Sequence, residues 1–173
     1  DRGPACVVAD LAAAMSRHLP ASDPLAPYPA RLLATDAART SLKGFLTGSI
    51  DVVLKLPGGG FVVVDYKTNR LPVLPDQELS VEHYHPDAMA EAMMQAHYPL
   101  QALLYCAALH RFLAWRLPGY SPGKHLGGVG YLFVRGMAGP ETPVVAGGRC
   151  GVFEWFPPTE LVVEVSDLLG GGR

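Results

Sequence analysis

Three charged residues, Asp51, Asp65 and Lys67, interrupt apolar runs of the sequence. Asp65 and Lys67 belong to the run F-V-V-V-D-Y-K-T-N, and Asp51 belongs to the run G-S-I-D-V-V-L-K-L. Because side chains alternate between the two faces of a strand, Asp65 and Lys67 project to one side and Tyr66 projects to the other. Two carboxylates beside an ammonium group indicate a metal-dependent phosphodiesterase.

The two runs predict a β-hairpin. Strands are expected over about 45–56 and 61–67, joined by the turn P-G-G-G, so that Asp51 in the first strand lies close to Asp65 near the end of the second. The valine run of the second strand shows no polar alternation, which predicts a strand covered on both faces. Buried anions at this place are costly unless a cation compensates them.

A hard divalent cation such as Mg²⁺ suits carboxylate and carbonyl oxygens. Held beside the hairpin, such an ion would polarise a phosphoryl oxygen and make hydroxide available near neutral pH. Lys67 would then orient the water or offset negative charge on the phosphate. The Asp-x-Lys triplet alone is weak evidence, since a surface ion pair that closes an edge strand, with Asp51 solvated, also explains it. Another alternative is an α/β binding domain whose acidic pair is incidental.

Two further motifs follow the hairpin. The run H-Y-P-L-Q-A-L-L-Y-C-A-A-L-H-R-F-L places Gln101 and Tyr105 on one face of a predicted helix. The run G-G-V-G-Y-L-F-V-R-G, at 127–136, predicts a buried strand. Together with G-F-L-T-G-S-I-D-V-V-L and V-V-V-D-Y-K-T-N, these runs resemble the nuclease domain of the RecB family, the helicase-nuclease subunits of bacterial exonuclease V. The resemblance extends over 44–136, about half of the chain.

The resemblance implies a restriction-endonuclease-like α/β fold of the PD-(D/E)XK superfamily, with a central mixed β-sheet flanked by helices. It also implies a set of site residues: Asp51, Asp65 and the main-chain carbonyl of Tyr66 as metal ligands, Lys67 as the catalytic lysine, and Gln101 and Tyr105 as residues that support the site or contact DNA. The catalytic set on this reasoning is Asp51, Asp65 and Lys67, and the implied cofactor is Mg²⁺.

The activity implied by the resemblance is that of a Mg²⁺-dependent DNA exonuclease domain in a RecBCD-type helicase-nuclease. Such a deoxyribonuclease hydrolyses phosphodiester bonds during double-strand break repair and recombination. The implied partners are DNA and the RecC- and RecD-like subunits of a heterotrimer, without a membrane. The alternative is a catalytically inactive nuclease-like module that serves DNA binding or subunit docking.

One feature of the RecB family has no counterpart in the sequence. RecB nuclease domains also use a histidine in an upstream helix with a G-x-x-x-H pattern, whereas His18 lies in A-A-A-M-S-R-H-L without the glycine. We therefore do not transfer that role to His18. The expectation is a single nuclease domain over 1–173 that forms a C-terminal fragment of a larger helicase-nuclease subunit and is truncated on its N-terminal side.

Composition agrees with one folded domain. With 173 residues, 49% of them hydrophobic and 17% charged, the chain can bury a core and does not have the composition of a disordered protein. No apolar run approaches the roughly 20 residues that span a bilayer, so a cytoplasmic location is expected. Three scattered cysteines argue against a zinc site or an iron–sulfur cluster. The net charge of −2 fits a nuclease tethered to a larger machine better than an autonomous DNA binder, which is usually basic.

The remaining pattern predicts the elements around the hairpin. Helices are expected over 7–19, 88–117 and 159–169, with Pro99 marking a kink or a new helix start in the second. Strands are expected over 127–135 and 152–156. The segments 71–86 and 136–151 contain many Pro or Gly residues and are expected to be irregular.

Overall fold

The computed structural model describes residues 6–42, 47–71, 74, 76–145 and 147–170. The helices are α1 (Val8–His18), α2 (Tyr28–Leu33), α3 (Pro86–Gln95), α4 (Tyr98–Arg116), α5 (Pro122–His125) and α6 (Thr159–Gly170). The strands are β1 (Val52–Lys55), β2 (Phe61–Lys67), β3 (Leu126–Phe133), β4 (Val144–Val145), β5 (Gly148–Arg149) and β6 (Val152–Trp155).

Four strands form the central sheet, in the order β1-β2-β3-β6. Strand β2 pairs antiparallel with β1 and parallel with β3, and β3 pairs antiparallel with β6. A parallel pair needs a long crossover connection, and α3 and α4 supply it between β2 and β3. The predicted mixed sheet flanked by helices is therefore confirmed.

The helices cover the face of the sheet on which Asp65 lies. On that face β2 contributes Val63, β3 contributes Tyr131, and β6 contributes Trp155, all buried in the main hydrophobic core. Helix α4 contacts β3 and α6, and α3 contacts β6, so both crossover helices pack over these side chains. The opposite face is open at Tyr66, whose residue surface is 52% exposed. The prediction that β2 is covered on both faces is therefore wrong at its C-terminal end.

The hairpin is present, but its first strand is shorter than predicted. The turn at 57–60 is closed by the Leu56 N–H, which donates to the Gly60 carbonyl at 2.8 Å, and Gly59 adopts a positive φ of 86° that favours glycine. Strand β1 covers only Val52–Lys55, while 47–50 has no regular structure and 45–46 lies outside the described residues. As an edge strand with exposed side chains, β1 receives little packing energy that would extend it.

The predicted long helical region consists of two helices. Helix α3 ends at Gln95, and His97 takes a left-handed backbone conformation with φ 55°, so α4 starts afresh with Pro99 in its first turn. Proline is tolerated there because the first N–H groups of a helix have no intrahelical partner. Among the described residues, none of the helices combines the length and apolarity that crossing a membrane requires.

The structure confirms the two terminal helices and departs from the prediction in both irregular segments. Helices α1 and α6 lie where the apolar periodicity places them, within one residue at each end. The 3-10 turn Val81–Tyr84 interrupts the irregular segment 71–86. The segment 136–151 is not wholly irregular, because β4 and β5 pair antiparallel within it. Such a short ribbon has no apolar alternation long enough to be recognised from sequence.

Candidate active site

Asp65 and Lys67 lie at the C-terminal end of β2, under the first turns of α4. Asp65 stands beside Tyr131 in the parallel β2–β3 pair, so β3 closes one flank of the carboxylate. The side chains of Lys67 and Asp65 are 11% and 6% exposed. The alternative of a surface ion pair is therefore wrong for these two residues.

The ammonium of Lys67 contacts Asp65, with Nζ 2.6 Å from Oδ2. The two groups attract each other at this distance, but they are not aligned as a hydrogen bond. Oδ2 is in fact a buried oxygen that has no hydrogen-bond partner within the described part of the chain. The Lys67 ammonium compensates the charge of this oxygen, whose remaining lone pair is open to a further cation or an ordered water.

Asp51 is placed differently from the prediction. It precedes β1 rather than lying within it, and it is exposed instead of buried. Its Oδ2 nevertheless accepts a hydrogen bond of 3.0 Å from the Tyr66 peptide N–H, because the antiparallel register brings the start of β1 beside the end of β2. The Asp51 carboxylate thus reaches the peptide that follows Asp65, while its solvation removes the cost of burial that the sequence argument assumed.

The main chain of Tyr66, not its side chain, belongs to this site. Its exposed phenol projects to the opposite face from Asp65 and Lys67, as the strand alternation predicts. Its peptide N–H binds Asp51. The carbonyl implied as a metal ligand is on the same residue.

Gln101 and Tyr105 connect Lys67 to the segment that carries Asp51. Gln101 Oε1 accepts hydrogen bonds from Lys67 Nζ and from the Tyr131 hydroxyl, each at 3.1 Å. Gln101 Nε2 donates to the Tyr105 hydroxyl at 3.0 Å, and that hydroxyl donates to the Ser49 carbonyl at 2.5 Å. A single chain of polar contacts therefore joins β2, β3, α4 and the residues before β1.

Both tyrosines in this network remain protonated donors near neutral pH. Burial raises the pKa of Tyr131 far above its ordinary value, and the negative charge of Asp65 raises it further. Burial and the Asp65 charge also raise the pKa of Tyr105, partly offset by its hydrogen bond with Gln101. Both phenols are therefore neutral, and the charged group in contact with Asp65 is the Lys67 ammonium.

Sequence reasoning missed two residues that contact Lys67. Its Nζ lies 3.8 Å from the ring centroid of Tyr98 and 5.1 Å from that of Tyr131. Tyr131 was predicted only as a buried aromatic residue of a strand. Tyr98 precedes Gln101 by three residues, which places both on one face of α4, and this spacing is the signal that was available.

The donor set fits a hard divalent cation. Asp51 and Asp65 could supply carboxylate oxygens, and Oδ2 of Asp65 is buried without a hydrogen bond from any described residue. Within the described ranges, no three residues among His, Cys, Asp and Glu are grouped as a metal site. Mg²⁺ is commonly held by one or two carboxylates together with waters and substrate phosphates, so two carboxylates suffice for it.

His18 takes no part in this site. Its Nε2 lies 2.6 Å from Glu164 Oε2, in a polar cluster that joins α1 to α6 and also includes Arg17. This position supports the expectation that His18 does not take the upstream histidine role.

Comparison with known proteins identifies the family. The model of the PD-(D/E)XK nuclease superfamily matches residues 5–148. The chain is 52% identical to the RecBCD enzyme subunit RecB of Mycobacterium tuberculosis over 172 residues, which are 99% of this chain and 15% of that protein. For RecB of Mycolicibacterium smegmatis the identity is 52% over 162 residues, 94% of this chain and 15% of that protein. For RecB of Escherichia coli it is 35% over 130 residues, 75% of this chain and 10% of that protein.

The chain therefore spans about 15% of the length of its mycobacterial relatives. These matches confirm the resemblance to the RecB nuclease domain that the three motifs indicated. Together with the mixed sheet and its flanking helices, they show that the chain belongs to the PD-(D/E)XK nuclease superfamily.

Proposed function

We propose that this chain is the nuclease domain of a RecBCD-type helicase-nuclease, a deoxyribonuclease of the exonuclease V type that hydrolyses DNA phosphodiester bonds in double-strand break repair and recombination. The observation that carries the proposal is the buried Asp65–Lys67 pair. Asp51 joins this pair by accepting a hydrogen bond from the peptide N–H of Tyr66, which lies between the two residues. The relatives named as RecBCD subunit RecB support the same reading.

In this proposal Asp51, Asp65 and the Tyr66 carbonyl hold Mg²⁺. When bound, the ion supplies Lewis-acid polarisation of the phosphoryl group and a nucleophile near neutral pH. Lys67 offsets the negative charge that develops on the phosphate during attack, and its burial strengthens that interaction. Asp65 keeps the ammonium beside the reacting centre, so the carboxylate both binds the cation and orients the lysine.

Gln101 and Tyr105 act in the proposal by holding these groups in place. Gln101 restrains Lys67 through its Oε1, and Tyr105 restrains the Ser49 carbonyl, two residues before Asp51. Precise positioning of this kind accounts for a large share of catalytic rate enhancement. Contact with DNA by either side chain is compatible with the half-exposed surface of α4 at these positions.

The proposed partners are DNA and RecC- and RecD-like subunits of a heterotrimer. The formal net charge of −2 gives the chain little electrostatic attraction for phosphates of its own. Delivery of the strand by a larger assembly compensates for that. We propose that the chain works as one nuclease domain within a larger helicase-nuclease subunit.

A second candidate is a nuclease-like module that binds DNA or docks subunits without cutting. It is favoured by the described residues, which contain no group of three or more His, Cys, Asp or Glu side chains that could hold a metal ion. The retention of Asp51, Asp65 and Lys67 around one site opposes it.

A calorimetric titration of the full-length protein with Mg²⁺, in the absence of nucleotide, distinguishes the active nuclease from the inactive module. We expect the Asp51→Asn variant to bind Mg²⁺ about tenfold more weakly than the wild type, because a neutral amide oxygen replaces a charged ligand. Asp167→Asn, a change of an exposed residue on α6, is the matched control and should leave the titration unchanged. Identical titrations of the wild type and Asp51→Asn would favour the inactive module.

Replacing Tyr105 with phenylalanine should slow DNA cleavage severalfold and lower the free energy of unfolding by about 1 kcal/mol. The change removes the hydroxyl that joins Gln101 to Ser49, and so loosens the segment before Asp51. Tyr120→Phe, which removes the hydroxyl bound to His110 Nδ1 at 2.8 Å, is the control. It should cost similar stability in thermal unfolding without slowing cleavage. Equal cleavage rates in the two variants would contradict the positioning role.

A further inference from the structure

Aromatic rings and polar oxygens surround the Lys67 ammonium. Two oxygens face it, Asp65 Oδ2 at 2.6 Å and Gln101 Oε1 at 3.1 Å. The centroid of the Tyr98 ring lies 3.8 Å from Nζ, and that of the Tyr131 ring lies 5.1 Å away. An ammonium over an aromatic face is attracted by the ring quadrupole, most strongly where water is excluded.

The two rings form one unit built from separate elements. Tyr98 opens α4, while Tyr131 lies on β3 beside Asp65. Their centroids are 5.8 Å apart with an interplanar angle of 17°, so the rings are stacked. The contact between α4 and β3 thereby places two stacked aromatic rings beside the Lys67 side chain.

Hydrogen bonds hold both rings in their orientations. The Tyr98 hydroxyl donates to Asn69 Oδ1 at 3.1 Å, within the T-N pair that follows Lys67 in the sequence. The Tyr131 hydroxyl donates to Gln101 Oε1 at 3.1 Å and approaches the Tyr98 carbonyl at 3.3 Å. The Asn69 carbonyl in turn accepts from the Tyr84 hydroxyl at 2.8 Å. The hydroxyls therefore bind neighbours of Lys67, and stacking occupies only one face of each ring, which leaves a face of Tyr98 for the ammonium.

We propose that Tyr98 and Tyr131 are positioning residues for the catalytic lysine, a stacked aromatic pair that confines the Lys67 ammonium to a position beside the Asp65 carboxylate. The inference rests on the proposed nuclease function, because it assigns a role to Lys67 in cleavage. A lysine side chain has a flexible four-carbon stem and loses considerable rotamer freedom when it is confined. The two rings reduce the number of rotamers that the Lys67 side chain can adopt before substrate binds.

Simple core packing is the competing explanation for the two tyrosines. Substitutions that keep or remove the aromatic ring distinguish packing from positioning of Lys67. Tyr131 is fully buried, so its removal would disturb the core whatever its role. Tyr98 is half-buried at the edge of the core and is the better residue to change. Phenylalanine at 98 keeps the aromatic face and loses the hydroxyl, whereas leucine keeps an apolar side chain and loses the face.

The test is single-turnover cleavage of linear DNA by the full-length enzyme with its partner subunits. We expect Tyr98→Leu to lower the cleavage rate about tenfold and Tyr98→Phe to retain most of it. The Mg²⁺ concentration that gives half-maximal rate should stay unchanged in both, since neither removes a metal ligand. Trp115→Leu removes an aromatic ring from the same helix at a residue 74% exposed, and should cleave like the wild type. Thermal unfolding checks that each variant is folded.

A double-mutant cycle with Lys67→Ala separates positioning from structure. If Tyr98 acts through Lys67, Tyr98→Leu causes no further loss of the residual cleavage in a Lys67→Ala background. A tenfold loss in both backgrounds would overturn the inference, as would equal impairment of Tyr98→Phe and Tyr98→Leu. Intact cleavage by Lys67→Ala alone would instead overturn the proposed catalytic role, whereas loss in Lys67→Ala with full activity in Tyr98→Leu would overturn the inference only.

Discussion

Replacing Asp65 with asparagine is expected to slow DNA cleavage by about a thousandfold, equivalent to several kcal/mol of transition-state stabilisation. Asparagine has nearly the same size, so the packing against β3 is kept and only the charge is lost. The neutral side chain binds a divalent cation weakly, and it no longer attracts the Lys67 ammonium at 2.6 Å. Both proposed roles of the carboxylate are therefore removed at once.

The measurement is the rate of degradation of linear DNA by the full-length enzyme at saturating Mg²⁺. Asp65→Glu restores the charge on a longer stem and should recover part of the rate. Asp167→Asn again serves as the matched control, because Asp167 is exposed on α6. A rate for Asp65→Asn within about threefold of the wild type would remove Asp65 from the catalytic machinery.

Replacing Lys67 with alanine should lower the cleavage rate by about a hundredfold to a thousandfold, the loss typical for a group that stabilises charge in the transition state. Unlike Asp65→Asn, this change should not weaken Mg²⁺ binding. The ammonium competes with any other cation for Asp65 Oδ2, so its removal leaves the carboxylate equally or more available. The two variants thus agree in cleavage and differ in their Mg²⁺ titrations.

Stability provides a second measurement for Lys67→Ala. Breaking a buried ion pair by removing one partner costs about 3–5 kcal/mol, because the remaining charge is uncompensated. Without Mg²⁺ the variant should therefore unfold at a lower temperature than the wild type. Added Mg²⁺ should raise the unfolding temperature of the variant by more than it raises that of the wild type. Lys55→Ala, at an exposed residue of β1, is the control and should change neither quantity. If the unfolding temperature of Lys67→Ala did not change with Mg²⁺ concentration, that result would contradict the proposal that Lys67 and Mg²⁺ both interact with Asp65.

Much of the architecture could be predicted from local patterns. The valine run, the glycine turn and the apolar helices have periodicities that short-range geometry imposes, and β2, α1 and α6 appear at the expected positions. The Asp-x-Lys alternation places two side chains on one face without any tertiary information. The RecB-like order of motifs then added the fold class, which the sheet confirms.

The environment of each side chain could not be predicted in the same way. Asp51 was expected inside a buried strand, yet it lies exposed before an edge strand, since burial depends on which elements cover a strand. Tyr98 and Tyr131 were not assigned to the site because they approach Lys67 from a helix and a strand distant from it in sequence.

By itself the sequence determined the hairpin, the face shared by Asp65 and Lys67, and the family, because these depend on residue types at short, regular spacings or on the order of motifs. Only the tertiary structure decided that Lys67 is enclosed by Gln101 and Tyr98, and that Asp51 reaches the peptide following Asp65. Such contacts depend on how α4 and β3 pack over the end of β2, and packing joins residues whose separation along the chain carries no periodic signal.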